Sequence, residues 1–172
     1  PAEVAIVGVG GYGRNQLCTY SNIDVLLLVP PDNAAVRQAL EAFVTACWDA
    51  GLEIGSSVRT VDECLALAQQ DITAQTSMLE MRHIGGSTEH FAQLLAQLPS
   101  TFHPQEFFLA KHLELRQRHT KFENAPYALE PNCKESPGGL RDLHTILWVA
   151  KAANLGHDWH ELAQHGILTN LE

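Results

Sequence analysis

Two short runs of aliphatic and β-branched residues, 4–9 and 23–29, lie near the start of the chain and are each bounded by turn-forming residues. Their composition predicts two buried strands. Pro30 and Pro31 stop the second run, and Asp32 or Asn33 is placed to cap the helix that follows. That helix is expected over 34–50, because Val36, Leu40, Phe43, Val44 and Cys47 recur at helical spacing and Gly51 closes it. Residues 52–59 alternate enough to predict a third strand, and Thr60 opens another helix at Val61. From there the period changes. Residues 62–69, 72–83, 88–98 and 104–122 read as helices, and no further strand is expected. Ser136 or Pro137 opens a last long helix over 139–154 with Leu140, Leu143, Leu147 and Ala150 on one face, and 158–165 fits a short one. The pattern is that of an α+β protein, with a small mixed sheet in the first third and an α-helical remainder. Pro99-Ser100-Thr101 interrupts it, predicting one domain over 1–98 and a helical one over 103–172.

A chain of 172 residues can bury one core, or one core with a helical appendage. Eleven basic against twenty acidic residues give a net charge of −9, and the best basic stretch, 111–121, is interleaved with acids and histidines. A nucleic-acid partner held through its phosphates is therefore not expected. A nucleotide held through a metal stays open, because the ion brings the positive charge. Cys18, Cys47, Cys64 and Cys133 are widely spaced with no Cys-x-x-Cys pair, which predicts reduced thiols in a cytoplasmic protein rather than disulfides or zinc. No apolar run reaches membrane-spanning length and no signal peptide is visible, so no membrane partner is expected. The chain opens almost directly on a core strand and closes on Thr169, Asn170, Leu171 and Glu172, a capping-box pattern with no helix behind it. Both ends predict an excised piece of a longer protein.

The candidate chemistry gathers around the first turn. Gly8, Gly10 and Gly13 satisfy G-x-G-x-x-G after a strand. A dinucleotide fold, however, needs a full helix after the glycines and an acid about twenty residues on, at the end of the next strand. Here about nine residues separate Gly13 from the next strand, and its acid, Asp24, sits at the beginning. Glycines that merely permit a tight turn would leave that acid unexplained. Residues two apart on a strand share a face, so an acid-x-acid pair at such a place would present two carboxylates side by side. Two such carboxylates can hold magnesium ions bridging a triphosphate. The backbone N–H groups of Gly10 and Gly11 can meanwhile approach its phosphates, with no side chain between.

This chain carries Asn22-Ile23-Asp24 at that place. The Asn22 amide offers one neutral oxygen and, beside it, a donor that repels a cation, so metal affinity is expected to fall. Without the glycine turn, Asp24 would read as a strand-end acid facing water. Glu53 is the one acid within 52–59. Arg59 is placed to meet a phosphate or to pair with Asp62. His160 and His165 miss the H-E-x-x-H spacing, and His112 and His119, seven apart, read better as solvated or core-edge residues than as ligands. The 129–142 block sets Glu130, Asn132, Lys134, Glu135, Arg141 and Asp142 around a Pro-Gly-Gly turn into a helix. Lys134 and Arg141 at a helix N-terminus suit an anionic ligand. An ion-pair and capping network that docks the helices accounts for the block equally well.

With these residues in hand, the chain resembles a known family. Residues 8–14, GVGGYGR, together with 21–29, SNIDVLLLV, resemble the nucleotidyltransferase region of the bacterial PII-protein uridylyltransferase/uridylyl-removing enzymes, in the DNA polymerase beta-like nucleotidyltransferase superfamily. Residues 51–60, GLEIGSSVRT, are similar to the same region, and 118–121, 127–143 and 147–150 are closer still. The resemblance implies a polymerase beta-like sheet followed by a helical subdomain. It also implies Mg²⁺-dependent transfer of UMP from UTP to a tyrosine of the PII nitrogen-regulatory protein, with Mn²⁺ as a substitute ion. The implied catalytic residues are Asp24, Asn22 and Glu53, with the metal at Asp24 and Asn22. The implied nucleotide contacts are Gly10, Gly11, Arg14, Ser21, Arg59, Lys134 and Arg141. Full-length members add an HD hydrolase domain and two glutamine-sensing ACT domains, so this stretch is not expected to deuridylylate or to sense glutamine.

The departures fall on the site. The family pattern is Gly-Arg-Gly-Glu-Leu where this chain has Gly13-Arg14-Asn15-Gln16-Leu17, Ser-Asp-Ile-Asp where it has Ser21-Asn22-Ile23-Asp24, and Gly-His-Ser where it has Gly55-Ser56-Ser57. The expectation is weak or absent catalysis. Two further readings stand beside an active uridylyltransferase. One is a degenerate paralogue that serves as a nucleotide- or protein-binding regulatory module. The other is a related nucleotidyltransferase with a different nucleotide or acceptor.

Overall fold

A computed structural model describes the chain except residues 1–2, 18, 20, 32–33, 125–131 and 170–172. Cys18, the cap expected at Asp32 or Asn33, the 127–131 part of the later block and the closing capping pattern lie outside the described residues. The chain divides into two units, Pro1–Thr101 and Phe102–Glu172.

The first unit is built on strands β1 (Ala5–Gly8), β2 (Ile23–Leu28), β3 (Ile54–Arg59) and β4 (Arg82–Gly86), in the order β3-β2-β1-β4. A short turn of helix, α1 (Gly10–Gly13), joins β1 to the loop before β2. Helix α2 (Ala34–Asp49) lies between β2 and β3, and α3 (Val61–Gln70), α4 (Ile72–Met78) and α5 (Thr88–Gln97) complete the unit. Strand β2 runs antiparallel to β1 and parallel to β3, while β4 runs antiparallel to β1, so the sheet is mixed. This is the small mixed sheet, followed by a helical subdomain, of the polymerase beta-like nucleotidyltransferase architecture. The antiparallel β1–β2 pair also removes the dinucleotide-fold reading of the glycines, which requires those two strands to be parallel.

Local chemistry explains most boundaries. Val25, Leu26, Leu27 and Leu28 are all buried, so β2 reads as a continuous apolar run covered on both faces. Val4, Leu27, Val29, Val36 and Leu40 form one core cluster, with Ile6, Val44 and Val58 packed against it. Gly51, at φ +79°, takes the left-handed position that ends α2, where Leu52 N–H bonds the Cys47 carbonyl. Thr60 and Glu63 form a reciprocal capping box on α3. The Thr60 N–H is the main cause that holds the Glu63 carboxyl below its usual value.

Three sequence expectations need correction. The helix expected over 72–83 stops at Met78, and residues 82–86 form β4 instead. Arg82-His-Ile-Gly-Gly has little intrinsic strand preference; it is a strand because β1 offers it an open edge. The third strand starts at Ile54, which leaves Leu52 and Glu53 ahead of it.

The third correction lies in the second unit, built from α6 (Pro104–Lys121), α7 (Leu140–Ala152) and α8 (Trp159–Gln164). On α7 the expected apolar face is buried only in part: Ala150 is buried and Leu147 half-buried, but Leu140 and Leu143 are exposed, and Thr145 and Trp148 are buried in their place. Trp148 is the largest side chain of the helix, and its burial sets which face turns inward. Its ring carries Lys111 Nζ of α6 at 5.2 Å and the Arg141 guanidinium at 5.5 Å from its centroid.

Candidate functional site

Asp24 is the second residue of β2, and register places it opposite Gly55 on β3. Its carbonyl accepts the Val9 N–H at 3.1 Å, which ties it to the end of β1 just before the glycine turn. The carboxylate lies between two glycines. A Cβ at Gly55 would stand 2.8 Å from Oδ1, and one at Gly10 would stand 3.5 Å from Oδ2. Glycine at 55 is thus what gives the carboxylate its room, whereas at Gly10 the constraint is the backbone, at φ +55°.

The glycine turn is held from below by residues that sequence reasoning did not single out. Arg82, on β4, donates from Nη2 to the Tyr12 carbonyl at 2.8 Å and from Nε to the Gly13 carbonyl at 3.2 Å, with its guanidinium over the Tyr12 ring. These carbonyls end a four-residue helix and need partners. Arg14, expected at a phosphate, is instead ion-paired with buried Glu80 and also donates to the Gln16 side-chain oxygen at 3.1 Å. Asn15 stands at φ +60°, a left-handed position that asparagine tolerates. No local periodicity signals Glu80 and Arg82; an alert reading would have asked what neutralises Arg14.

Asn22 immediately precedes β2 and is exposed. It lines an open cavity of about 500 Å³ with Trp48, Gly51, Leu52, Glu53, Ile54 and Gly55. Glu53 is exposed, and its carbonyl accepts the Ile23 N–H at 3.2 Å, extending the β2–β3 pairing to the rim of that cavity. Asn22, Glu53 and the neighbourhood of Asp24 are therefore brought together. Ser21 is exposed in the loop just ahead. Arg59 is not brought in: it pairs in register with Leu28, four strand positions from Gly55, or roughly 13 Å at strand rise. Among the described residues it forms no ion pair with Asp62, and its charge acts on Glu63 and Cys64. Burial pushes the Cys64 thiol up to about 11, which keeps it protonated and unreactive.

A fit for Mg²⁺ can be judged from the donors. The ion commonly takes one or two carboxylates and completes its shell with water and substrate phosphates. Asp24, with open space on both glycine sides, fits that role; Asn22 adds only a neutral oxygen. Among the described residues no group of three His, Cys, Asp or Glu side chains could by itself hold a metal ion.

In the second unit, Lys134 is exposed and Arg141 is paired with Glu135 at 3.1 Å. The Asn132 side chain accepts the Lys134 and Glu135 N–H groups at 3.1 and 2.9 Å, shaping the turn. Asp142 gathers Arg118, His119 at 2.9 Å and the Gly138 N–H at 2.8 Å. The described part of the block is thus an internal network in which Arg141 and Arg118 already have carboxylate partners.

Burial acts to raise the Asp142 carboxyl, but the Gly138 N–H, Arg118 and His119 outweigh it and hold the group below its usual value. A depressed carboxyl stabilises the fold above its unfolded value, near 3.9, and loses that contribution as pH falls through the folded value. Asp142→Asn should lower the melting temperature at pH 7 and flatten its decline below about pH 4. Thermal melts from pH 7 to pH 2 check this; parallel acid limbs in both proteins would contradict it.

A family model described as GlnD PII-uridylyltransferase matches residues 106–172. The chain is 56% identical over 174 residues to the bifunctional uridylyltransferase/uridylyl-removing enzyme of Cupriavidus pinatubonensis. It is 53% and 52% identical, over 173 residues each, to the enzymes of that description from Burkholderia orbicola and Burkholderia mallei. Each match covers 100% of this chain and 20% of the relative. The chain therefore spans about a fifth of the length of the curated relatives it matches, and it is homologous to that segment of them.

Proposed function

We propose that this chain is the nucleotidyltransferase portion of a uridylyltransferase-like protein that binds UTP with Mg²⁺ and transfers UMP to a tyrosine hydroxyl of a PII signalling protein. The observation that carries the reading is the Asp24 carboxylate lying beside Gly55 of β3 and Gly10 of the glycine turn. The identity to uridylyltransferases over the whole chain supports the choice of nucleotide. Asp24 would hold the ion, which when bound neutralises phosphate charge. Gly10 and Gly11 leave the turn backbone open to phosphate oxygens, and Ser21 and Asn22 border the same opening. Arg14 serves through Glu80 as a brace of the turn rather than as a ligand. The 1–98 and 103–172 segments are proposed as the catalytic and helical domains.

Activity of this copy is weak in this reading, because Asn22 replaces the second carboxylate. The same amide favours a second reading, a degenerate paralogue that binds nucleotide or protein and regulates without catalysis. Calorimetric titration of Mg-UTP into the chain and into Asn22→Asp separates these outcomes. The expected result is tight binding by the Asn22→Asp protein and binding at least about a hundredfold weaker by the parent, the scale of a lost charged partner. Equal tight binding would restore the active-enzyme reading. Absence of binding by both would remove the nucleotide from the proposal.

A further inference from the structure

We infer that Trp48 is a ring-binding wall: the cavity beside Asn22 and Glu53 accepts a planar aromatic ring of a substrate, laid against the exposed face of the indole. Trp48 stands near the end of α2 and is 62% exposed, the most exposed aromatic side chain named in the first unit. Tryptophan carries a large apolar face that a fold ordinarily covers. This one is exposed and also anchored, since its Nε1–H donates to the Ile54 carbonyl at 3.1 Å, where β3 begins. The anchor fixes the ring at the rim of the cavity lined by Asn22, Leu52, Glu53 and Gly55. A held aromatic face costs little ordering entropy when a second ring stacks on it.

The surroundings narrow the ligand. Leu52 and Ile54 supply apolar contact, while Asn22 offers both a donor and an acceptor and Glu53 an acceptor, at the edge where a ring would carry polar substituents. An aliphatic chain would leave those polar groups unmatched, and a bare phosphate would meet the Glu53 charge. The class selected is a planar ring with hydrogen-bonding edges. On the nucleotidyltransferase reading, on which this inference rests for its choice of sources, such a ring comes either from the base of the nucleotide or from the phenol of an acceptor tyrosyl group. Glycine at 51 and 55 keeps side chains out of the cavity floor.

The test follows the indole N–H resonances of the ¹⁵N-labelled chain, in which Trp48 is one of three tryptophans and is assigned by its loss in Trp48→Phe. UMP, N-acetyltyrosinamide and ribose 5-phosphate are titrated separately. The Trp48 signal should move with UMP or with N-acetyltyrosinamide, which identifies the source, and should stay still with ribose 5-phosphate. Trp48→Ala should weaken the active ring compound about tenfold, as for deletion of one stacking partner, while Trp48→Phe stays within about threefold. A Trp48 signal that neither ring compound moves, an equal response to ribose 5-phosphate, or unchanged affinity in Trp48→Ala would overturn the inference. The Gly10 and Gly11 backbone amides report the nucleotide reading separately. If UMP moves them and neither ring compound moves Trp48, the site stands and the ring wall falls. If N-acetyltyrosinamide moves Trp48 and no nucleotide moves those amides, the wall stands and the nucleotide reading falls.

Discussion

Gly13→Ala should unfold the sheet unit. A Cβ at this position would lie 1.7 Å from the Glu80 carbonyl oxygen and 2.8 Å from that of Gly8, and both contacts are backbone. Flexible side chains can step aside from such a clash, whereas these carbonyls cannot. The Gly8 carbonyl belongs to β1, and Glu80 sits buried between α4 and β4, bound to Arg14. Moving either one breaks the turn from β1 or from the arginines that brace it. The expected loss exceeds about 4 kcal/mol, the range reserved for changes with a specific steric or electrostatic cause. For a unit of this size that is a melting-temperature drop above about 15 °C. Far-UV circular dichroism and thermal melts of the purified protein measure it. A drop of only a few degrees would mean that α1 does not pack against the start of β4 as described.

The second large effect separates fold from chemistry. In the Asn22→Asp background, Asp24→Asn should leave the melting temperature within a few degrees, because the side chain is exposed and caps nothing. Mg-UTP affinity should nevertheless fall by about a hundredfold or more, since the remaining carboxylate has lost the partner that faced the same ion. Gly55→Ala is the informative companion. Its new Cβ would stand 2.8 Å from Asp24 Oδ1, the end of a short mobile side chain, so the carboxylate can swing away and the sheet survives. The expected result is a folded protein with magnesium-dependent affinity reduced about tenfold to a hundredfold, as for misplaced metal ligands. Unchanged affinity in both variants, measured by calorimetry, would remove Asp24 from the metal site.

Much of this was legible along the chain. β1 and β2 are apolar runs bounded by Gly and Pro, α2, α3 and α5 carry helical periods, and Thr60 and Ser87 cap the last two. The closeness of the glycine turn to Asp24 was legible too, since the two flank one short link in the chain. What could not be read shares a physical cause. β4 has two glycines in five residues and becomes a strand through the open edge of β1. The pairing of Arg14 with Glu80 and the grip of Arg82 on Tyr12 and Gly13 bridge separations of 66 to 70 residues, where no periodicity carries information. On α7 the leucines gave the stronger apolar signal, yet Trp148 faces inward because its area and its cation contacts outweigh theirs.

The sequence by itself determined the local elements, the turn and the single acid at the mouth of β2, because strand and helix periods, caps and glycine φ freedom act over a few residues. Tertiary structure alone decided that β1 and β2 run antiparallel, that Gly55 on β3 makes room for the Asp24 carboxylate of β2, and that Trp48 stands anchored and exposed at the cavity shared with Asn22 and Glu53. Those outcomes depend on which distant backbones come within hydrogen-bond reach, and chain-local propensities carry no record of that.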